Sequence, residues 1–257
     1  MKFRPCIDIH NGQVKQIVGS SLKDQGNKAA ENFVASQDAA FFAGLYRDKG
    51  LKGGHIILLN PPASEYYEKT KKQAMRALAA YPDGLQIGGG VTPLNAENFL
   101  KKGASHVIVT SYVFKDGQLH YDRLEEMISA VGKKHLVLDL SCRKKEGEYY
   151  IVTDRWQKYT DVKLNKKTIE YLSQSCDEFL IHAVDVEGKS NGIEKELAAM
   201  LGSICNIPCT YAGGVHDFQD LKLLKELGMG KIDVTIGSAL DLFGGSMKLE
   251  DVLAYIK

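Results

Sequence analysis

Short aliphatic and β-branched runs alternate along the chain with longer stretches whose apolar positions recur at helical spacing. The short runs predict strands over 3–9, 55–59, 85–87, 106–109, 135–139, 178–181, 208–211 and 232–236. The longer stretches predict helices over 39–49, 65–80, 94–102, 121–131, 166–175, 193–201, 218–227 and 249–256. Leu221, Leu224 and Leu227 ahead of Gly228 carry the i, i+3 spacing of a helix laid on a sheet. Thr92-Pro93 reads as an N-cap followed by proline in the first turn, and Gly103 as the stop. Strand and helix in repeated alternation predict parallel βαβ units closed into an α/β fold, a (β/α)8 TIM barrel. A doubly wound open sheet would need a topological switch point that this order of elements does not offer. One domain over residues 1–257 matches the roughly 250 residues of such a barrel.

Two segments interrupt the rhythm. Residues 19–37 are polar, and residues 141–163 hold Arg143, Lys144, Lys145, Tyr149, Tyr150, Trp156 and Tyr159. Long loops in a compact domain tend to be lids or binding loops, and in a barrel the loops that follow strands build the site. Both follow strands that carry an aspartate near their end: Cys6-Ile7-Asp8-Ile9-His10 and Val137-Leu138-Asp139-Leu140-Ser141.

The chain also repeats itself. Gly89-Gly90-Val91 and Gly213-Gly214-Val215 each lead through a helix ending in glycine, Gly103 or Gly228, to another apolar strand. Those strands end in Thr110-Ser111 and Gly237-Ser238. A repeat of half the chain predicts a barrel built as two similar half-barrels. Glycines admit backbone N–H groups to phosphate oxygens, a helix N-terminus adds a favourable dipole, and a hydroxyl adds a donor. Gly89, Gly90, Thr110 and Ser111 are thus one candidate phosphate site, and Gly213, Gly214, Gly237 and Ser238 a second. Gly244-Gly245 either extends the second site or stops a helix.

Two carboxylates between two anion sites predict acid/base chemistry on a small substrate with a phosphate at each end. One carboxylate would be ionised as base and the other protonated as acid, with their environments pushing the pKa values apart. The residues alone leave open which of Asp8 and Asp139 is which. They also leave open structural roles: Asp8 as a turn residue beside Asn11-Gly12, Asp139 as an ion-pair partner of Arg143 or Lys144. His182 closes the sixth strand and either orients substrate or an acid, or is structural. Asp185 binds a ribose hydroxyl or caps its loop. Trp156, the sole tryptophan, stacks on a heterocycle or packs its loop.

Composition narrows the partners. A 44% hydrophobic, 25% charged chain builds a large core, and a net charge of +1 removes the electrostatic case for duplex nucleic acid. Five cysteines, an odd number, in apolar surroundings predict reduced thiols. Cys205 and Cys209 flank Pro208, with no His or Cys pair to complete a zinc set, so no metal is expected. The N-terminus lacks a signal-peptide stretch, and no apolar run approaches the ~18 residues of a membrane span. The expectation is a cytoplasmic monomer without cofactor.

Seven segments together resemble a known family. They are CIDIHNGQVKQIVG (6–19), QIGGGV (86–91), VIVTSYVF (107–114), VLDLSCRK (137–144), FLIHAVDVEG (179–188), YAGGV (211–215) and VTIGSALDLFGG (234–245). The family is the isomerases of histidine biosynthesis that act on phosphoribosylformimino-aminoimidazole carboxamide ribotide, and the likeness is to its eukaryotic branch. The resemblance implies a cofactor-free Amadori rearrangement of an aminoaldose to an aminoketose. It makes Asp139 the general acid that opens the ribose ring and Asp8 the base that removes the C2′ proton. It gives the terminal phosphates to the two glycine sites and the imidazole to Trp156. Arg143, in the loop after Asp139, is a further candidate substrate-binding residue. Two departures stand out: Val91-Thr92-Pro93 where many members carry an arginine, and His182 where many have a threonine. The alternatives are the related cyclase subunit of imidazole glycerol phosphate synthase, which works with a glutaminase, and a barrel that only binds a phosphosugar.

Overall fold

The predicted apolar runs form eight parallel strands in a computed structural model that describes residues 1–18, 21, 30–154, 156–189 and 191–256. They are β1 (Cys6–His10), β2 (Gly54–Leu58), β3 (Leu85–Gly88), β4 (Val107–Val109), β5 (Leu136–Asp139), β6 (Glu178–His182), β7 (Cys209–Ala212) and β8 (Ile232–Thr235). Each pairs in parallel with the next, so that Asp8 lies level with Ile57, Leu180 with Asp139, and Ala212 with Thr235. The ring closes through the residues ahead of β1. Arg4 N donates to Val234 O at 2.8 Å, and Val234 N donates to Lys2 O at 2.9 Å. Phe3 faces Val234 in a parallel bridge.

Helices α1 (Ala39–Asp48), α2 (Tyr67–Ala80), α3 (Pro93–Lys101), α4 (Tyr121–Val131), α5 (Lys166–Leu172), α6 (Lys195–Ile204), α7 (Phe218–Leu227) and α8 (Leu249–Ile256) follow the strands. Thr92 and Asn95 form a reciprocal capping box at the start of α3, as its sequence predicts. Alternation along the strands divides the apolar residues in two. Ile7, Ile56, Ile87, Leu138, Phe179 and Tyr211 join the large layer between strands and helices. Ile108, Val137, Leu180 and Ala212, with Ile57 against them, make a small cluster of their own. These occupy the alternate, inward positions and fill the barrel as a packed core.

The inner column is polar above and below that cluster. At the N-terminal ends of the strands, Arg4 pairs with Asp233 at 2.8 Å and Glu178 at 3.5 Å. Gln86 Nε2 and Thr210 Oγ1 donate to Glu178 at 3.1 and 2.9 Å. At the C-terminal ends lie Asp8, Asp139 and His182.

The segment 141–163, predicted as an irregular loop, is an antiparallel meander of strands Cys142–Lys145, Glu148–Thr153 and Lys158–Lys163. Its first turn has positive φ at both central residues, Glu146 (53°) and Gly147 (84°), the mirror-image turn that matches strand twist. The same device at Asn11 (52°) and Gly12 (77°) folds strand Gln13–Ile17 back onto β1. Of the polar segment 19–37, residues Glu31–Val34 add a further antiparallel strand, whereas residues 19–20 and 22–29 lie outside the described residues.

Removing Arg4 leaves Glu178 and Asp233 as uncompensated buried carboxylates. Arg4→Met is expected to lower stability by about 3 kcal/mol in denaturant titrations at neutral pH. Burial already raises the Glu178 carboxyl. A raised carboxyl contributes its stability below the unfolded pKa and loses it as pH rises, so the deficit is expected to shrink as pH is lowered.

Candidate active site

Asp139 ends β5, and the chain then turns into the meander. Ser141 closes that turn: its N–H and its Oγ both donate to Asp139 Oδ1, at 3.0 and 2.8 Å. His182, at the end of β6, places Nδ1 3.2 Å from the same oxygen and 3.4 Å from Ser141 Oγ. Trp156 reaches in from the meander, its indole N–H donating to Ser141 Oγ at 2.9 Å. The indole lies 5.7 Å from the His182 ring. Trp156 holds φ at 67° and Asp154 at 50°, strained positions tolerated where the surrounding strands hold the chain.

Asp8, on β1, faces the same space without an Asp139-like set of donors. Burial and the facing Glu187 carboxylate push its pKa up to about 7, against weaker opposing pulls from His182 and a Gln16 hydrogen bond. Asp139 goes the other way. Burial alone would raise it, but His182, Ser141 and His55 together hold it below the usual carboxylate range. His182 is pushed up to about 9: burial opposes its charge, and Asp139 foremost, with Glu187 and Asp8, outweighs burial. His55, packed edge-to-face against His182 at 6.0 Å, is driven down to about 3 by burial and by that neighbour. At neutral pH the mouth thus holds an imidazolium–carboxylate pair and a second carboxyl near its midpoint.

The two glycine sites have matching backbones. Gly89 and Gly213 have φ of 100° and 121°, and Gly90 and Gly214 have 71° and 78°. A Cβ on Gly89 would sit 2.2 Å from Leu58 O at the end of β2, and one on Gly213 2.9 Å from Ala183 O just after β6. Only glycine meets both demands. The first site, with Thr110 and Ser111, lines a cavity of about 620 Å3 that also takes in Pro61, Pro62 and Trp156. The second, with Gly237 and Ser238, lines a narrower polar cavity. Asp8, His182 and Glu187 border both, and Asp139 lines the larger one.

Arg143 and Asp185 meet each other instead. Arg143 Nε donates to Asp185 Oδ1 at 2.8 Å and Lys144 N to Oδ2 at 3.2 Å, clamping the meander to the loop after β6. Lys144 pairs with Glu196, so neither basic residue is the partner of Asp139. Neither Arg143 nor Asp185 lines either cavity.

Sequence reading missed four residues of the mouth. Glu187 leaves Oε2 buried without a hydrogen-bond partner among the described residues. Ser141 bridges Trp156 to Asp139. Gln16 Nε2 reaches Cys6 Sγ at 3.8 Å, and its Oε1 would lie 2.3 Å from a Cβ on Gly237. His55 lies beneath His182. The available signal was positional: Glu187 precedes Gly188 in the loop after β6, and Gln16 lies between Lys15 and Ile17 in the strand that folds back onto β1. Among the described residues no group of three or more His, Cys, Asp or Glu could hold a metal ion, and no helix is long and apolar enough to cross a membrane.

A family model described as histidine biosynthesis protein matches residues 2–247. The chain belongs to this family. Its relatives in the family include the chloroplastic 1-(5-phosphoribosyl)-5-((5-phosphoribosylamino)methylideneamino) imidazole-4-carboxamide isomerase of Medicago truncatula. That protein is 54% identical over 99% of this chain and 81% of its own length. The isomerase of the same name from Yarrowia lipolytica is 49% identical over 99% of this chain and 97% of its own. The one from Saccharomyces cerevisiae is 42% identical over 97% and 96%. All three carry the isomerase's name, not the cyclase's. A TIM barrel is the fold of this histidine biosynthesis family, and the closed ring of strands described above agrees with it.

Gly214→Ala forces a Cβ to 2.2 Å from Gly192 O at φ 78°. It is expected to cost about 1–3 kcal/mol and to weaken bisphosphate binding at least tenfold by calorimetry. Gly132→Ala is the control: its φ is 75°, but it meets open space at the end of α4. It is expected to lose stability alone.

Proposed function

We propose that this chain is an aldose–ketose isomerase of histidine biosynthesis. Its reaction is the Amadori rearrangement of the aminoaldose phosphoribosylformimino-5-aminoimidazole carboxamide ribonucleotide to its aminoketose, phosphoribulosyl form. The observation that carries this reading is the lining of the two cavities. Asp8 borders both cavities and Asp139 lines the larger one, two carboxyl groups with oppositely shifted pKa values in a mouth lined by the two repeated glycine segments.

The reaction needs an acid and a base but no redox partner, and we infer that no cofactor takes part. Protonation of the ribose ring oxygen breaks the C1′–O bond, whose electrons stay on oxygen as a hydroxyl, and the amino nitrogen's lone pair forms a protonated Schiff base. Removal of the C2′ proton then gives an enaminol. Protonation at C1′ and loss of the C2′ hydroxyl proton give the ketone. Asp8 serves as the base, since a carboxyl near pH 7 combines a large ionised fraction with useful basicity. Asp139 serves the acid half of the mouth, together with the imidazole it holds. Gly89, Gly90, Thr110 and Ser111 take one terminal phosphate, and Gly213, Gly214, Gly237 and Ser238 the other. Trp156 stacks on the imidazole of the substrate. The reading also takes residues 1–257 as one domain, acting as a monomer in the cytoplasm.

Purified protein with no added metal is expected to convert this aminoaldose, and conversion of no aminoaldose would end the reading. Asp8→Asn and Asp139→Asn are each expected to lower kcat by 100-fold or more, the usual range for general acid–base groups. Bisphosphate binding is expected to stay within a fewfold of the parent. A base must be ionised, so kcat/KM is expected to fall about tenfold per pH unit below about 7.

A further inference from the structure

Ring opening consumes a proton, and Asp139 is poorly placed to hold one. Its Oδ1 already faces two Ser141 donors and the His182 ring, contacts that favour the carboxylate. His182 is only 8% exposed, yet it borders both cavities. Its charged and titratable neighbours come from every side: Asp8 on β1, His55 on β2, Asp139 on β5 and Glu187 on the loop after β6. Three of the four are carboxyl groups, so the surroundings favour a cation here. With Nδ1 turned to Asp139, Nε2 is left without a protein hydrogen bond among the described residues. A carboxylate behind one imidazole nitrogen and an open site before the other is the arrangement by which a buried aspartate orients a proton-transferring histidine.

We propose that His182 delivers the proton to the ribose ring oxygen, with Asp139 acting as the positioning residue that holds its imidazolium. This deepens the isomerase reading and rests on it. The proton on Nε2 passes to the ring oxygen as the C1′–O bond breaks with its electrons remaining on oxygen. The amino nitrogen's lone pair closes the Schiff base, and His182 is left neutral until solvent restores its proton. Ser141 ties this pair to Trp156 through the indole N–H, so the loop that covers the mouth also touches the acid.

The sole tryptophan offers a direct readout, because an imidazolium quenches a neighbouring indole more strongly than a neutral imidazole does. Trp156 emission is expected to rise with a midpoint near pH 9 in the parent and to lack that transition in His182→Gln. A parent without the transition would overturn the proposal. His182→Gly is expected to lose at least 100-fold in kcat, and added imidazole to restore part of it in proportion to the imidazolium fraction across pH. If His182→Gln and His182→Gly both stay within threefold of the parent, His182 is not the donor. Nor is it the donor if imidazole restores nothing while His182→Gly still binds the bisphosphate substrate. An inactive parent overturns the isomerase reading as well, whereas an active parent with no imidazole rescue overturns the role of His182 alone.

Discussion

A parallel sheet has two open edges until something joins them, and here the join is made by a few backbone bonds between Val234 and the segment Lys2–Arg4. Everything at the mouth depends on that closure. It brings β8 beside β1, so that Gln16 and Asp8 lie against Gly237. It also turns the ends of β1, β5 and β6 toward one space, although Asp8, Asp139 and His182 are far apart in the chain. The N-terminal rim shows what closure costs. Arg4, Glu178 and Asp233 are packed there with their side chains largely buried, and the arginine offsets the two carboxylates.

The same economy of charge shapes the other rim. Asp8, Asp139 and Glu187 crowd one mouth, and His182 is the cation among them. Because the imidazole bonds to Asp139 and only acts across space on Asp8, it separates the two aspartates, lowering one while burial raises the other. A repeat that began as two equivalent carboxylates becomes an unequal pair. An uncharged side chain at position 182 could not supply that charge.

Much of this was legible in the chain. Eight apolar runs, their helices and the doubled Gly-Gly segments mark a half-barrel repeat, because periodicity and glycine's freedom at positive φ are local properties. The hairpin at Glu146-Gly147 was legible in principle, and its segment was read as a loop. It adopts the two-residue positive-φ turn, yet its flanking strands, Cys142–Lys145 and Glu148–Thr153, are rich in lysine and tyrosine and show weak alternation. Arg143 and Asp185 looked like ligands because each sits on a loop above the barrel. They lie 42 residues apart, and only their meeting at 2.8 Å reveals a clamp.

The sequence by itself determined the barrel, the two matching glycine loops and the presence of a carboxylate at the end of strands one and five. Those features follow from hydrophobic period, strand length and turn chemistry, which act over a few residues. Tertiary structure decided which groups share a solvent-poor space: Glu187 beside Asp8, His182 on Asp139, Ser141 between Asp139 and Trp156. Protonation depends on burial and on charges a few ångströms away, and neither is a property of neighbouring residues along the chain. The unequal surroundings of two similar aspartates therefore came into being only when the barrel closed.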